Sequence, residues 1–465
     1  MRARTLARVA AITAICLAAA ACGDDTTADA GTGGESPTAT TVPDTAPAAG
    51  GGNADDAAAE ADAKDPAEGP ATGATDAASA AADAGADTTD RSAAEPTPAA
   101  PSSDTAAFDT AAFDTAAFET AAIAAAEQSR QQTPGSPGAA LRVLAPGVGV
   151  DLGHGIGALD PAVPLRVASN TKTFVAAAVM RLVELGELSL DQSLADGALD
   201  PDMAALIAAD GYDLGAITVA DLLVHAGGLH DYAVDPAWEA AVAADPRRQW
   251  TAVEQIEFAT RLGDPLFEPG IDTAYSDTGY LLLASVLEGA AGEPLGPAVR
   301  RLVGYDTIGL EATWWEALEP APSDAAPPGP QLLFGTGLDF GIPREAFSPH
   351  IDLHGGGGLV ASIDDLARFS RALWAGEIFD DPAIFDQMTG LTSPADPTIR
   401  AGVFAHDIDG VTCFGHLGYW GTAAHTCPAI DVTVAFTAGV AYVGDGPDPL
   451  AVLRAVVEAH QTARN

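Results

Sequence analysis

Ser169 and Lys172 stand three residues apart in the run Ser169-Asn170-Thr171-Lys172, where a strand-like stretch gives way to a helical one. Residues three apart on a helix share a face, so the lysine amine can reach the serine hydroxyl. A serine hydroxyl is a weak nucleophile and needs an adjacent base. A desolvated lysine can serve as that base, whereas an arginine keeps its proton. Ser-x-x-Lys also arises by chance, but the whole chain holds two lysines, Lys64 and Lys172, and every other fixed cation is arginine. A surface lysine beside an N-capping serine is the plain alternative, and the lone lysine makes it a poor one. The chemistry this pair points to is nucleophilic attack by serine.

Elements must hold the pair in place. Gly138-Ala139-Ala140-Leu141-Arg142-Val143-Leu144 reads as a strand, and a helix begins near Val167. Phe174, Ala178, Val179, Leu182 and Leu185 recur at helical spacing along it, so one face packs on a core. Around this helix the chain reads Val167-Ala168-Ser169-Asn170-Thr171-Lys172-Thr173-Phe174, then Glu184-Leu185-Gly186-Glu187-Leu188-Ser189-Leu190-Asp191. Farther on come Ile217 to Leu229 (ITVADLLVHAGGL), and His354-Gly355-Gly356-Gly357-Gly358-Leu359-Val360 with Asp364-Asp365-Leu366-Ala367. Together these segments resemble the serine β-lactamase and D-alanyl-D-alanine carboxypeptidase family, in particular its class C branch with related esterases. The resemblance runs in order over about residues 120–460.

The resemblance implies two further motifs. Tyr275-Ser276-Asp277 stands where the family commonly has Tyr-x-Asn, and it implies that Tyr275 shares acid–base duty with Lys172. Asp277 departs from the pattern: an amide donates and accepts, whereas an ionised carboxylate only accepts. His416-Leu417-Gly418 stands at the third motif, with His416 expected to bring a cation or donor to the substrate. Gly418 lets the strand backbone approach the acyl group. The backbone N–H groups of Ser169 and Tyr419 would then form the oxyanion hole. Leu417 lacks the hydroxyl that binds a terminal carboxylate in many relatives. His154, His225, His230 and His425 receive no role, with His225 read as structural. No His-Glu-x-x-His or Cys/His cluster indicates a metal, and no cofactor is implied.

The expected fold is α/β (α+β): an antiparallel sheet with helices on both faces plus a helical subdomain, the site lying between them. The first and last helices should both pack on the sheet. The chain has 65 acidic residues against 21 Lys+Arg and a net charge of −44, which excludes a nucleic-acid binder that works by neutralising phosphates. Residues 1–22 read as an export signal, with Arg2, Arg4 and Arg8 ahead of an apolar run and small residues before Cys22. Cys22 would carry a lipid and hold the protein on the outer side of the cell membrane, although an ordinary secretory signal is the alternative. Residues 23–105 are Ala, Asp, Thr, Gly and Pro, too poor in large apolar side chains to order, and form a tether reaching about 50 Å. The hydrolase domain spans 106–465. It opens on a five-residue repeat around Phe108, Phe113 and Phe118, whose 140° steps make no stripe, so only the part toward Arg130 is expected to dock as a helix. Cys413 and Cys427 flank Tyr419-Trp420-Gly421 symmetrically and would face each other across a hairpin, as a disulfide or as two free thiols. The Pro-rich stretch Glu319–Gln331 reads as a loop over one edge.

The resulting expectation is a monomeric lipid-anchored serine hydrolase. It would act by acyl transfer on a cell-wall D-alanyl peptide, a β-lactam, or a small ester or amide. A catalytically weak wall-binding or sensor protein on the same fold is the competing class.

Overall fold

A computed structural model describes residues 113–335, 341–443, 448 and 450–464. The export signal, Cys22, the tether and Phe108 of the repeat lie outside the described residues. Five helices cover the sheet or position the site: α1 (Thr115–Gln132), α2 (Thr171–Glu184), α3 (Asp277–Ala291), α4 (Ile363–Trp374) and α5 (Ala451–Ala463).

Both ends of the domain build one antiparallel sheet. Its strands are β1 (Gly138–Ala145), β2 (Val150–Gly157), β3 (Ile399–Arg400), β4 (Val403–Ile408), β5 (Val411–Gly418), β6 (Thr422–Cys427) and β7 (Val432–Thr437). They lie in the order β2-β1-β7-β6-β5-β4-β3, with Leu141 opposite Phe436 and Val143 opposite Val434. Alternation along the strands sorts the faces. Leu141, Val143, Val434 and Phe436 point to the side covered by α1 and α5. Ala140, Ala424 and Ala435 point to the other side, where α4 and α2 pack, and the small side chains let those helices sit close. The expected sheet with helices on both faces is what the chain forms. The helical part comprises Pro201–Ala209, Val219–Leu223, Pro236–Ala244 and Ala252–Ala259, joined to the sheet side through α2 and α3. Among the described residues no helix is long and apolar enough to cross a membrane.

Two local expectations need correction. The Phe repeat docks earlier than its periodicity implies. Asp114 caps α1 by accepting from the Ala117 N–H, so Phe113 lies outside the helix and its 140° step does not apply. Phe113 folds back on Phe118 with ring centroids 5.6 Å apart, and both pack on His460 of α5, a hydrophobic staple around the cap. The Pro-rich segment also ends inside the protein. Gln331 is fully buried, accepting from the Arg166 N–H and donating to the Arg166 carbonyl, both at 2.9 Å, which stitches it to the strand that leads toward Ser169.

The hairpin of β5 and β6 turns at Tyr419-Trp420-Gly421, and Cys413 and Cys427 are bonded across its open end with Cα atoms 4.1 Å apart.

Candidate active site

The turn that carries Ser169 is built under strain. Ala168 takes φ +44°, a left-handed conformation that a side chain disfavours and that costs about 1–3 kcal/mol. Neighbours hold it there. The Val167 N–H donates to the Leu359 carbonyl (3.1 Å), and Thr171 Oγ1 accepts from the Leu359 N–H (3.2 Å). Asn170 Nδ2 donates to the Val167 carbonyl (3.1 Å) and to Thr422 Oγ1 (3.0 Å), tying the turn to β6. Gly418 of β5 presses on the same turn: a Cβ there would collide with the Val167 carbonyl, Thr422 Oγ1 and Asn170 Nδ2. Asn170 and Gly418 therefore fix where Ser169 sits, and the strained turn presents its hydroxyl at the start of α2.

Lys172 follows one helical turn later and is completely buried. Its Nζ lies 3.2 Å from Ser169 Oγ, 2.6 Å from the Gly356 carbonyl and 2.5 Å from Asp277 Oδ1. Three acceptors match the three N–H groups of an ammonium. The glycine-rich segment makes this possible: a Cβ at Gly356 would sit 3.1 Å from the Asp277 carboxyl, and Gly355 (φ +108°) passes against the Tyr280 backbone. Tyr275 places its ring 5.0 Å from Lys172 Nζ, and Tyr280 does so at 5.5 Å from below. The Ser169, Tyr275 and His416 motifs, up to 247 positions apart in the chain, thus meet around one amine.

His416 differs from expectation in charge. Burial first, and the Lys172 charge second, push its imidazole down to about 3, so it is neutral at physiological pH. Its Nδ1 lies 2.7 Å from the Leu417 carbonyl, which makes Nδ1 the protonated nitrogen and leaves Nε2 as an acceptor. His416 brings no cation to the site.

His225, read from sequence as merely structural, orients the second motif. It sits at φ +59°, accepts from the Ser276 N–H at Nδ1 (3.2 Å) and stacks on Tyr275 with centroids 4.3 Å apart. Burial and Lys172 hold it well below its ordinary value, so it stays neutral. The local signal was a histidine closing a short helix just before the turn; its partners lie about fifty residues away.

Beside Ser169 opens a cavity of about 860 Å³, counting its mouth. Ser169, Asp277 and Tyr419 form part of its wall, whereas Tyr275, His416 and Gly418 do not. Tyr232, Trp238, Val242, Phe347 and Trp420 give it a largely apolar lining. Asp231, Glu239 and Asp352 add carboxyls that sequence reasoning missed. Among the described residues, no group of three or more His, Cys, Asp or Glu is arranged to hold a metal ion.

Comparison with known proteins adds a lineage. The model of the family described as Beta-lactamase matches residues 123–457. The esterase EstB of Burkholderia gladioli is 30% identical over 236 residues, 46% of this chain and 58% of EstB, so the chain spans little more than half of that relative. A putative D-alanyl-D-alanine carboxypeptidase of Escherichia coli is 24% identical over 301 residues, covering 58% of this chain and 67% of its own length. Among solved structures, a D-stereospecific amidohydrolase from Streptomyces superposes with a TM-score of 0.61 at 24% identity, over 74% of this chain and 98% of that one. The D-amino acid amidase of Ochrobactrum anthropi, complexed with L-phenylalanine amide, gives 0.63 at 21% identity, over 75% and 99%. These likenesses establish the shared fold.

Proposed function

The chain belongs to the Beta-lactamase family of serine hydrolases, and from that premise we propose that it works by acyl transfer through a covalent ester on Ser169, which water then hydrolyses. The observation that carries this reading is the fully buried Lys172 amine 3.2 Å from the Ser169 hydroxyl. In the reactive state the Lys172 ammonium has given one proton to the Asp277 carboxylate, and the neutral amine takes the hydroxyl proton as Oγ attacks the substrate carbonyl. The ammonium so formed is stabilised by Asp277 and the Gly356 carbonyl, the orienting third partner that an activated nucleophile requires. Tyr275, stacked on His225 and 5.0 Å from the amine, carries that proton onward to the leaving group. The backbone N–H groups of Ser169 and Tyr419, both in the cavity wall, receive the developing oxyanion. In deacylation the same groups act in reverse, with water in place of the leaving group.

The preferred substrate in this reading is an ester or amide without a terminal carboxylate. No Arg or Lys stands in the cavity wall, Leu417 offers nothing polar, and His416 is neutral. A buried carboxylate left without a cation is costly. The reading predicts a higher kcat/KM for a p-nitrophenyl ester than for diacetyl-lysyl-D-alanyl-D-alanine. Steady-state assays of both decide it, and a faster peptide would overturn this substrate preference.

A further inference from the structure

Asp231 and Asp277 both stand in the cavity wall beside Ser169, and the proposed acyl transfer uses only Asp277. Asp231 is 6% exposed. Its Oδ1 accepts from the Ala233 N–H (3.0 Å), and it also accepts from the backbone N–H of Asp277, the first residue of α3. The fold thereby pins Asp231 to the residue whose carboxyl lies 2.5 Å from Lys172 Nζ. Asp231 feels the Asp277 charge more strongly than that of Lys172. Glu239 and Asp352 share the wall, and Arg166, close to Asp352, is held by Glu316 at 2.6 Å. His225 and His416, both near Lys172, are neutral. Two carboxylates buried against each other do not both ionise readily. Burial first, and Asp277 second, push the Asp231 carboxyl up to about 8, so it holds a proton near neutral pH while Asp277 pairs with Lys172.

We propose that Asp231 is a positioning residue that acts on the reaction through Asp277: once ionised, it drives Asp277 to accept the Lys172 proton and so frees the amine to work as a base. This deepens the preceding reading and rests on Ser169 and Lys172 holding the roles given there. Before attack, Lys172 is an ammonium, Asp277 a carboxylate and Ser169 a hydroxyl. One proton passes from Nζ to the Asp277 carboxylate and leaves a neutral amine. The hydroxyl proton then passes to that amine as Oγ bonds to the substrate carbonyl, whose oxygen becomes the oxyanion. Negative charge has moved from Asp277 to that oxyanion. A carboxylate at Asp231 repels the charge on Asp277, so this move relieves the repulsion. Its attraction for the Lys172 ammonium opposes the transfer and is the weaker of the two effects. While Asp231 keeps its proton, the repulsion that favours the transfer is absent.

The test follows kcat/KM for a neutral p-nitrophenyl ester from pH 6 to pH 10 in the full chain and in Asp231→Asn. The variant keeps an acceptor for both N–H groups and cannot ionise. Wild type should gain activity through a step near pH 8 that the variant lacks. The ratio of wild type to variant should therefore grow by roughly 10-fold across the range, the scale of repulsion between neighbouring buried carboxylates. Titrations common to both proteins cancel in that ratio, and a residue that only held the fold would leave it independent of pH. A constant ratio, or a variant that keeps the step, would overturn the proposal. Should Asp231→Asn fail to fold, Asp231→Ser, whose hydroxyl also caps, carries the same comparison with the same two outcomes. Ser169→Ala, assayed alongside, separates the two readings. Full activity in Ser169→Ala would strike at the nucleophile, whereas an inactive Ser169→Ala beside a constant ratio would strike at Asp231 alone.

Discussion

Asp231 sits against Asp277 and caps the turn Tyr232–Val234 by accepting from the Ala233 N–H (3.0 Å), and the consequence for stability has a definite sign. Its folded-state carboxyl lies at about 8, raised by burial and then by Asp277. Between the ordinary carboxylate range and that value, the folded chain holds a proton that the unfolded chain has released, so stability falls as pH rises through this window. Asp231→Asn removes the effect while keeping the capping acceptor. Thermal melts should therefore show the variant more stable than wild type at pH 8, with the gap shrinking toward pH 5; an equal gap at both values would contradict the assignment. His225, His416 and His425 act oppositely, since all three are buried neutral and cost stability as pH falls below about 6.5. That trend is common to both proteins and cancels in the comparison. At this scale the sequence was partly legible. Ser169 and Lys172 announce themselves because their spacing is local and the chain is nearly free of lysine. Asp231, Glu239 and Asp352 do not, because in a chain with 65 acidic residues nothing local marks which carboxyls turn inward.

The hairpin of β5 and β6 was readable because two cysteines bracket its turn symmetrically, and α2 because its apolar residues repeat at helical spacing. The closure of the sheet by β1 against β7 was not, since it joins segments nearly 300 residues apart and rests on tertiary packing. The docking of α1 toward Arg130 was legible, but the packing of Phe113 was not, for a specific reason: helical periodicity stops at the cap, and Phe113 lies before it. Phe118, 1% exposed, is wedged between Phe113 and His460 and anchors α1 to α5 over the sheet. Phe118→Ala should lower unfolding stability by about 3–5 kcal/mol, the usual loss for a buried aromatic ring. Urea unfolding measures it. The active site lies on the opposite face of the sheet, so activity per folded molecule should change little; a variant as stable as wild type would show that α1 is not part of the cooperative core.

Taken whole, the molecule places the strained Ser169 turn where the sheet side and the helical part meet. The turn before α2 brings Ser169 and α2 brings Lys172, α3 starts at Asp277, and β5 presses Gly418 against the turn from the sheet. Because three separate segments converge on one buried amine, the account stands or falls on Ser169 chemistry. The direct measurement is intact-mass spectrometry of the full chain, acid-quenched at intervals after mixing with an activated p-nitrophenyl ester. The account predicts one added acyl group that accumulates and then decays with turnover, mapped by peptide digestion to Ser169. It should be absent from Ser169→Ala and strongly slowed in Lys172→Arg, by roughly 10²–10⁴-fold for loss of the base. Hydrolysis with no adduct at any time point while acylation is the faster step, or an undiminished adduct in Ser169→Ala, would contradict it.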